Sequence, residues 1–216
     1  MTHLFNNIYR IPSARLQNWN YANEGMYFVT ICTENRENYF GKLVDALLQP
    51  TEIGKIAHLE WYKSVELRTD MNLELGEFVV MPNHIHGIII IGPNEFNSQR
   101  DAQWDAQRDT QRDTQRRDAM HCVSTPTTPT TPEYKNQFAP QSKNLSSIIR
   151  GYKSAVTTYA RKNGIVFGWQ PRFHDHIIRS MGEYHNIANY IINNPAKWQE
   201  DKFLQDDETK NICKFK

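Results

Sequence analysis

Cysteine is scarce in this chain, and the three present, Cys32, Cys122 and Cys213, lie far apart. They form no CxxC pair and no even set, which excludes a cysteine zinc site or a disulfide framework as the organising principle. Reduced thiols of this kind suit a cytoplasmic protein. Long apolar runs are missing too. None approaches the roughly 18 residues that a membrane-spanning helix needs. The start of the chain, Met1 to Asn7, lacks the basic head and apolar stretch of a signal peptide. An excess of charge of one sign is also absent. With 25 basic and 24 acidic residues the formal net charge is +1, so bulk charge announces no polyanionic partner, and any such surface must be a local patch.

What remains is ample for a core. Of 216 residues, 39% are hydrophobic and 12% aromatic, which suits one domain, or one domain with a large insertion. Residues 1–22, with Arg10 and Arg15 among Asn, Pro and Trp, read as an arm. Met26 to Thr33 is rich in β-formers and predicts a strand. Asn35 to Asn38 gives a polar turn, and Tyr39 to Val44 a short strand or irregular edge. Thr51 is a candidate cap for a helix whose stripe runs Ile53, Ile56, Ala57, Trp61 and Val65. Leu73 to Met81 and His84 to Ile91 predict two strands joined at Pro82-Asn83, hence an antiparallel hairpin.

Composition changes near Asn94. The stretch 96–143 holds Gln107-Arg108-Asp109-Thr110, repeated at Gln111 to Thr114, and then a Thr/Pro run from Ser124 to Pro132. Such a segment buries little apolar surface and is expected to be a flexible insertion. Periodicity returns with Leu145, Ile148, Ile149, Tyr152, Val156 and Ala160, between an Asn144 cap and Gly164. Phe173 to Ile178 predicts a strand. Ser180 and Glu183 form a capping box for a last helix reaching about Asn194, ahead of Pro195. Together these elements predict an α+β fold, an antiparallel sheet with helices packed on it. Residues 23–95 and 144–200 make one split domain, and 201–216 a tail.

Two features carry chemistry. His84 and His86 stand two apart on an otherwise aliphatic strand, so both imidazoles project from one face, about 6.6 Å apart along the chain. Burying both requires two sets of polar partners, which a cation would supply. A hydrogen-bonded pair of hairpin histidines is an equally good reading of these residues alone. The second feature is Tyr190. Tyr184, Ile187, Ala188, Ile191 and Ile192 form the apolar stripe of the last helix; at 100° per residue Tyr190 falls roughly 130° from its centre. It shares a polar side with Asn186 and Asn194, the latter one turn on. A surface tyrosine and a phosphate nucleophile both fit that position; a phenolate leaves readily enough to make a phosphodiester link reversible.

Four segments in order resemble one family: Tyr27 to Thr33; Val80-Met81-Pro82-Asn83-His84-Ile85-His86-Gly87; Trp169-Gln170-Pro171-Arg172-Phe173 through Arg179; and Tyr190-Ile191-Ile192-Asn193-Asn194-Pro195. The chain resembles the single-tyrosine HUH (His-hydrophobic-His) transposases, within them the REP-associated tyrosine transposases. The resemblance implies a ferredoxin-like HUH endonuclease fold. It implies cleavage and rejoining of single-stranded or hairpin DNA through a 5′-phosphotyrosine link, by a monomer or homodimer. Tyr190 falls at the family nucleophile, His84 and His86 at the metal pair, and Asn194 at a third ligand that is usually Gln in insertion-sequence relatives. The implied cation is Mg²⁺ or Mn²⁺. His176 sits within the matched third segment as a possible support. Arg10, Arg15, Arg150, Lys153, Arg161 and Arg172 are candidate phosphate contacts. Two other readings stand beside this one: a catalytically silent DNA-binding regulator, and a metal-dependent phosphodiesterase that uses water.

Overall fold

The computed structural model describes residue 16, residues 19–97 and residues 142–200. Arg10, Arg15, most of the 96–143 insertion and the 201–216 tail lie outside the described residues.

Strand β1 (Gly25–Cys32) leads into a short hairpin, β2 (Gly41–Val44) and β3 (Leu47–Pro50). Helix α1 (Glu52–Glu66) follows, then β4 (Leu73–Val80), β5 (His84–Ile91), α2 (Leu145–Lys162), β6 (His174–Ile178) and α3 (Met181–Asn193). The main sheet has the order β4-β5-β1-β6, and every pairing in it is antiparallel. With the hairpin and α3 set aside, the sequence of elements is βαββαβ, the ferredoxin-like arrangement. The fold is thus α+β, as the sequence predicts.

Each helix begins where its cap dictates. The Thr51 hydroxyl accepts from the Gly54 amide, the Asn144 side chain from the Ser147 amide, and the Ser180 hydroxyl from the Glu183 amide. Glu183 does not complete a reciprocal box with Ser180; its carboxylate accepts from the Arg179 amide instead, at 2.7 Å. The β2–β3 hairpin differs from the expected single strand. Asp45 and Ala46 both take positive φ, 51° and 60°, the left-handed pair that a two-residue hairpin turn demands.

Alternation along the strands sorts the two faces of the sheet. Tyr27, Val29 and Ile31 of β1, with Ile85, Ile89 and Ile91 of β5, pack with α1 and α2 in the larger core. Burying each such aliphatic side chain contributes about 1.5–3 kcal/mol. Gly87 lies on this face under the Trp61 indole: a Cβ there would stand 2.4 Å from Trp61 Cζ2. The opposite face carries Ile88 and Ile178, covered by Ala188 and Ile191 of α3. His84 and His86 share this second face. No helix among the described residues is long and apolar enough to cross a membrane.

Candidate functional site

His84 and His86 are buried, at 0% and 1% exposure, and their Nε2 atoms stand 3.1 Å apart. Each ring is tied through its other nitrogen. His84 Nδ1 lies 2.8 Å from Asn83 Oδ1, and His86 Nδ1 lies 2.8 Å from the Thr30 hydroxyl. Asn83 comes from the β4–β5 turn. Thr30 sits directly opposite His86 in the β1–β5 register. Aromatic rings wall the pair. Phe28 stacks on His86 at 5.3 Å between centroids, and Trp198, beyond α3, stacks on His84 at 6.0 Å.

Tyr190 reaches this pair from α3. Its hydroxyl is 3.2 Å from His86 Nε2, and its ring meets Phe28 edge-on at 6.2 Å. At 44% exposure the phenol stands at the mouth of the site, above two histidines closed to solvent. Asn194, one turn further on, lies in sequence between Tyr190 and Trp198, which touch the two histidines. It is buried, and among the described residues its Oδ1 has no hydrogen-bond partner.

These donors fit a divalent cation. In an octahedral site with bonds near 2.1 Å, adjacent ligand atoms lie about 3.0 Å apart, close to the Nε2–Nε2 separation. An orphaned buried amide oxygen is costly unless something pairs with it. Among the described residues no group of three or more His, Cys, Asp or Glu side chains is placed to hold an ion; the two imidazole Nε2 atoms are the donors that the geometry brings together.

The remaining sequence candidates fall elsewhere. His176 is exposed on β6, opposite Phe28, and pairs with Glu183 at 2.7 Å. The Arg179 amide, and then His176, hold the Glu183 carboxyl below its usual range. Lys153 is half-buried, donating to the Gln170 and Arg172 carbonyls at 2.9 and 2.5 Å; burial pushes its ammonium down to about 8. The segment it holds continues the sheet end beside the site, because Gln170 N donates to the Cys32 carbonyl at 3.0 Å and Cys32 faces His84 across the strands. Arg172 is exposed there with φ of 68°. Arg150 and Arg161 are exposed on α2. Trp169 and Phe173 pack against the larger core. Thr30, Asn83, Phe28 and Trp198 escaped sequence reasoning. Only the neighbourhood of Asn83 to His84 hinted at any of them.

No family model matches the chain. Among solved structures, it is similar to a REP-associated tyrosine transposase bound to a REP hairpin, with a TM-score of 0.46 and 17% identity over 88% of this chain and 74% of the other. It is also similar to a Deinococcus radiodurans R1 protein provisionally described as a transposase, with a TM-score of 0.31 and 15% identity over 84% of this chain and 97% of the other. Likenesses of that size assign no activity. A Haemophilus influenzae protein described only as uncharacterized is 32% identical over 208 residues, spanning 95% of this chain and 100% of its own length. At that identity and coverage, the chain belongs to the same family as the Haemophilus influenzae protein.

Proposed function

We propose that this chain is a transposase-type enzyme that cuts and rejoins single-stranded or hairpin DNA, with Tyr190 as nucleophile and His84, His86 and Asn194 holding Mn²⁺ or Mg²⁺. One observation carries the reading: an accessible phenol lies 3.2 Å from an imidazole nitrogen that is itself 3.1 Å from a second. The ordered motifs of the sequence independently point to the same three residues.

In the reaction, the Tyr190 oxygen attacks a backbone phosphorus. A P–O bond to tyrosine forms as the P–O3′ bond breaks, the phenolic proton is given up, and the departing 3′-oxygen takes a proton. The products are a 5′-phosphotyrosine and a free 3′-hydroxyl. Attack by another 3′-hydroxyl reverses the chemistry and restores the phenol, so no external energy source is consumed. A bound divalent cation supplies charge neutralisation at the phosphate oxygens. The stacked Phe28 and Trp198 rings keep water from the buried sides of the imidazoles. Tyr190 reaches His86 of its own chain, which supports a site complete in a monomer. Exposed Arg150, Arg161 and Arg172 are proposed as phosphate contacts, with Lys153 holding the turn that carries Arg172. Such contacts provide affinity that falls with salt.

The test is a covalent-trapping assay with hairpin oligonucleotides in MnCl₂. Wild type should form a protein–DNA adduct that resists denaturation and is lost in EDTA. Tyr190→Phe should still bind DNA and form no adduct. Cleavage surviving Tyr190→Phe supports a water-using phosphodiesterase instead; binding with no metal-dependent cleavage by wild type supports a silent DNA-binding regulator.

A further inference from the structure

We propose that His174, on the edge strand of the sheet, is a substrate-contacting residue: its imidazole donates to a backbone phosphate adjoining the one that Tyr190 attacks, so that the DNA strand crosses the sheet from β6 toward His86. This rests on the reading of Tyr190 as the nucleophile.

Strand register places His174. Thr30 of β1 lies opposite His86 on one side and opposite His174 on the other. Directly opposed residues of antiparallel strands project from the same face, so His86, Thr30 and His174 form one row across three strands. Two contacts fix which face this is. The Thr30 hydroxyl lies 2.8 Å from His86 Nδ1. Ile178, on the same side of β6 as His174, packs with Ala188 and Ile191 of α3. The row therefore lies on the α3 face, where the Tyr190 hydroxyl stands 3.2 Å from His86 Nε2. Opposed Cα atoms are about 4.5–5.5 Å apart, so His174 stands about 10 Å from His86 along the row. An imidazole there reaches back toward the next phosphate of a strand held at Tyr190.

The row opens toward its outer end. His86 and Thr30 are buried, whereas His174 is exposed. The adjacent row, Ile88, Phe28 and His176, is occupied: Phe28 meets Tyr190 edge-on at 6.2 Å, and His176 pairs with Glu183 of α3 at 2.7 Å. The charges suit a polyanion. Glu183 is engaged by His176 and by the Arg179 amide. Asp175 projects to the other face, where its charge adds to burial in raising the Tyr27 phenol to about 12. Arg172, exposed two residues before His174, extends a basic edge along β6. An imidazole carries an N–H donor in either neutral tautomer and two when protonated, so His174 can bind a phosphate oxygen in every state. Contacts of this kind fix the register of a strand without reading its bases.

The experiment has two arms, both on the full chain with a hairpin oligonucleotide. The first measures binding of fluorescein-labelled hairpin to Tyr190→Phe protein in EDTA by anisotropy. Adding His174→Ala should weaken binding about 10-fold, the loss of one hydrogen bond to a charged group. Adding His174→Gln instead, which keeps an N–H donor, should recover most of that loss. The second arm reads the linkage joined to Tyr190 from the wild-type adduct formed in MnCl₂, then replaces the neighbouring phosphates one at a time by methylphosphonate. Neutralising one adjoining phosphate should slow adduct formation by wild type about 10-fold and slow His174→Ala no further. Unchanged binding in His174→Ala, a glutamine variant no better than alanine, or a His174→Ala protein as sensitive as wild type at every linkage would overturn the proposal. Weakened His174→Ala binding with no adduct from wild type would instead overturn the nucleophile reading, and with it the register, while keeping His174 as a DNA contact.

Discussion

Replacing Asn194 by leucine should make the metal-free protein more stable and less responsive to metal. Asn194 is buried at the C-terminal cap of α3, with its Oδ1 unpartnered among the described residues. A buried polar atom left unpaired costs about 1–3 kcal/mol; leucine keeps the same branched arrangement of side-chain heavy atoms, though its methyl groups are bulkier, and has no such atom. The variant should gain about 1–3 kcal/mol, or about 2–12 °C in Tm at the roughly 2–4 °C per kcal/mol expected for a chain of this size. With Mn²⁺ at a hundred times its Kd, wild type should gain about 2.7 kcal/mol, and the variant distinctly less, because one ligand is gone. Differential scanning calorimetry in EDTA and in MnCl₂ measures both quantities. A variant less stable than wild type in EDTA would refute the orphaned oxygen. An unreduced Mn²⁺ shift would refute its role as a ligand.

Two further perturbations probe the support of the site. Gly87→Ala places a methyl group 2.4 Å from Trp61 Cζ2, in an indole stacked on Phe78 with centroids 4.5 Å apart. Overpacking there should cost about 1–3 kcal/mol, measured by urea denaturation; unchanged stability would mean that Trp61 moves aside freely. Burial lowers Lys153 from 10.5 to about 8. Between those values the unfolded chain binds more protons than the folded one, so this residue makes stability rise with pH. The stability of wild type minus that of Lys153→Met should therefore climb from about pH 8 to pH 10.5, and a flat difference would contradict the buried ammonium.

Local chemistry was readable in advance, and long-range pairing was not. The caps at Thr51, Asn144 and Ser180 act through neighbours three residues away, so sequence alone placed the helix starts. The hairpin at Pro82-Asn83 and the side-chain direction of His84 and His86 follow from a two-residue period. Tyr190 stood out because it departs from the apolar stripe of its own helix. By contrast, Thr30 becomes a partner of His86 only through pairing across 56 positions of sequence, and nothing in Tyr27 to Thr33 announces that register. Phe28 reads as an ordinary strand aromatic, and Trp198 lies past the helix, where no periodicity survives. Strand β3 was missed for a different reason: Leu47 to Pro50 is very short, and its turn achieves left-handed backbone with Asp45 and Ala46 rather than glycine.

The most direct measurement of the central claim is the identity of the residue that becomes joined to DNA. Wild-type protein trapped on a hairpin oligonucleotide in MnCl₂ would be digested with nuclease and trypsin, and the modified peptide sequenced by tandem mass spectrometry. Of the ten tyrosines in the chain, only Tyr190 should carry a 5′-linked nucleotide phosphate. The same label on another tyrosine or on a serine, or cleaved DNA with no attached protein, would contradict the account.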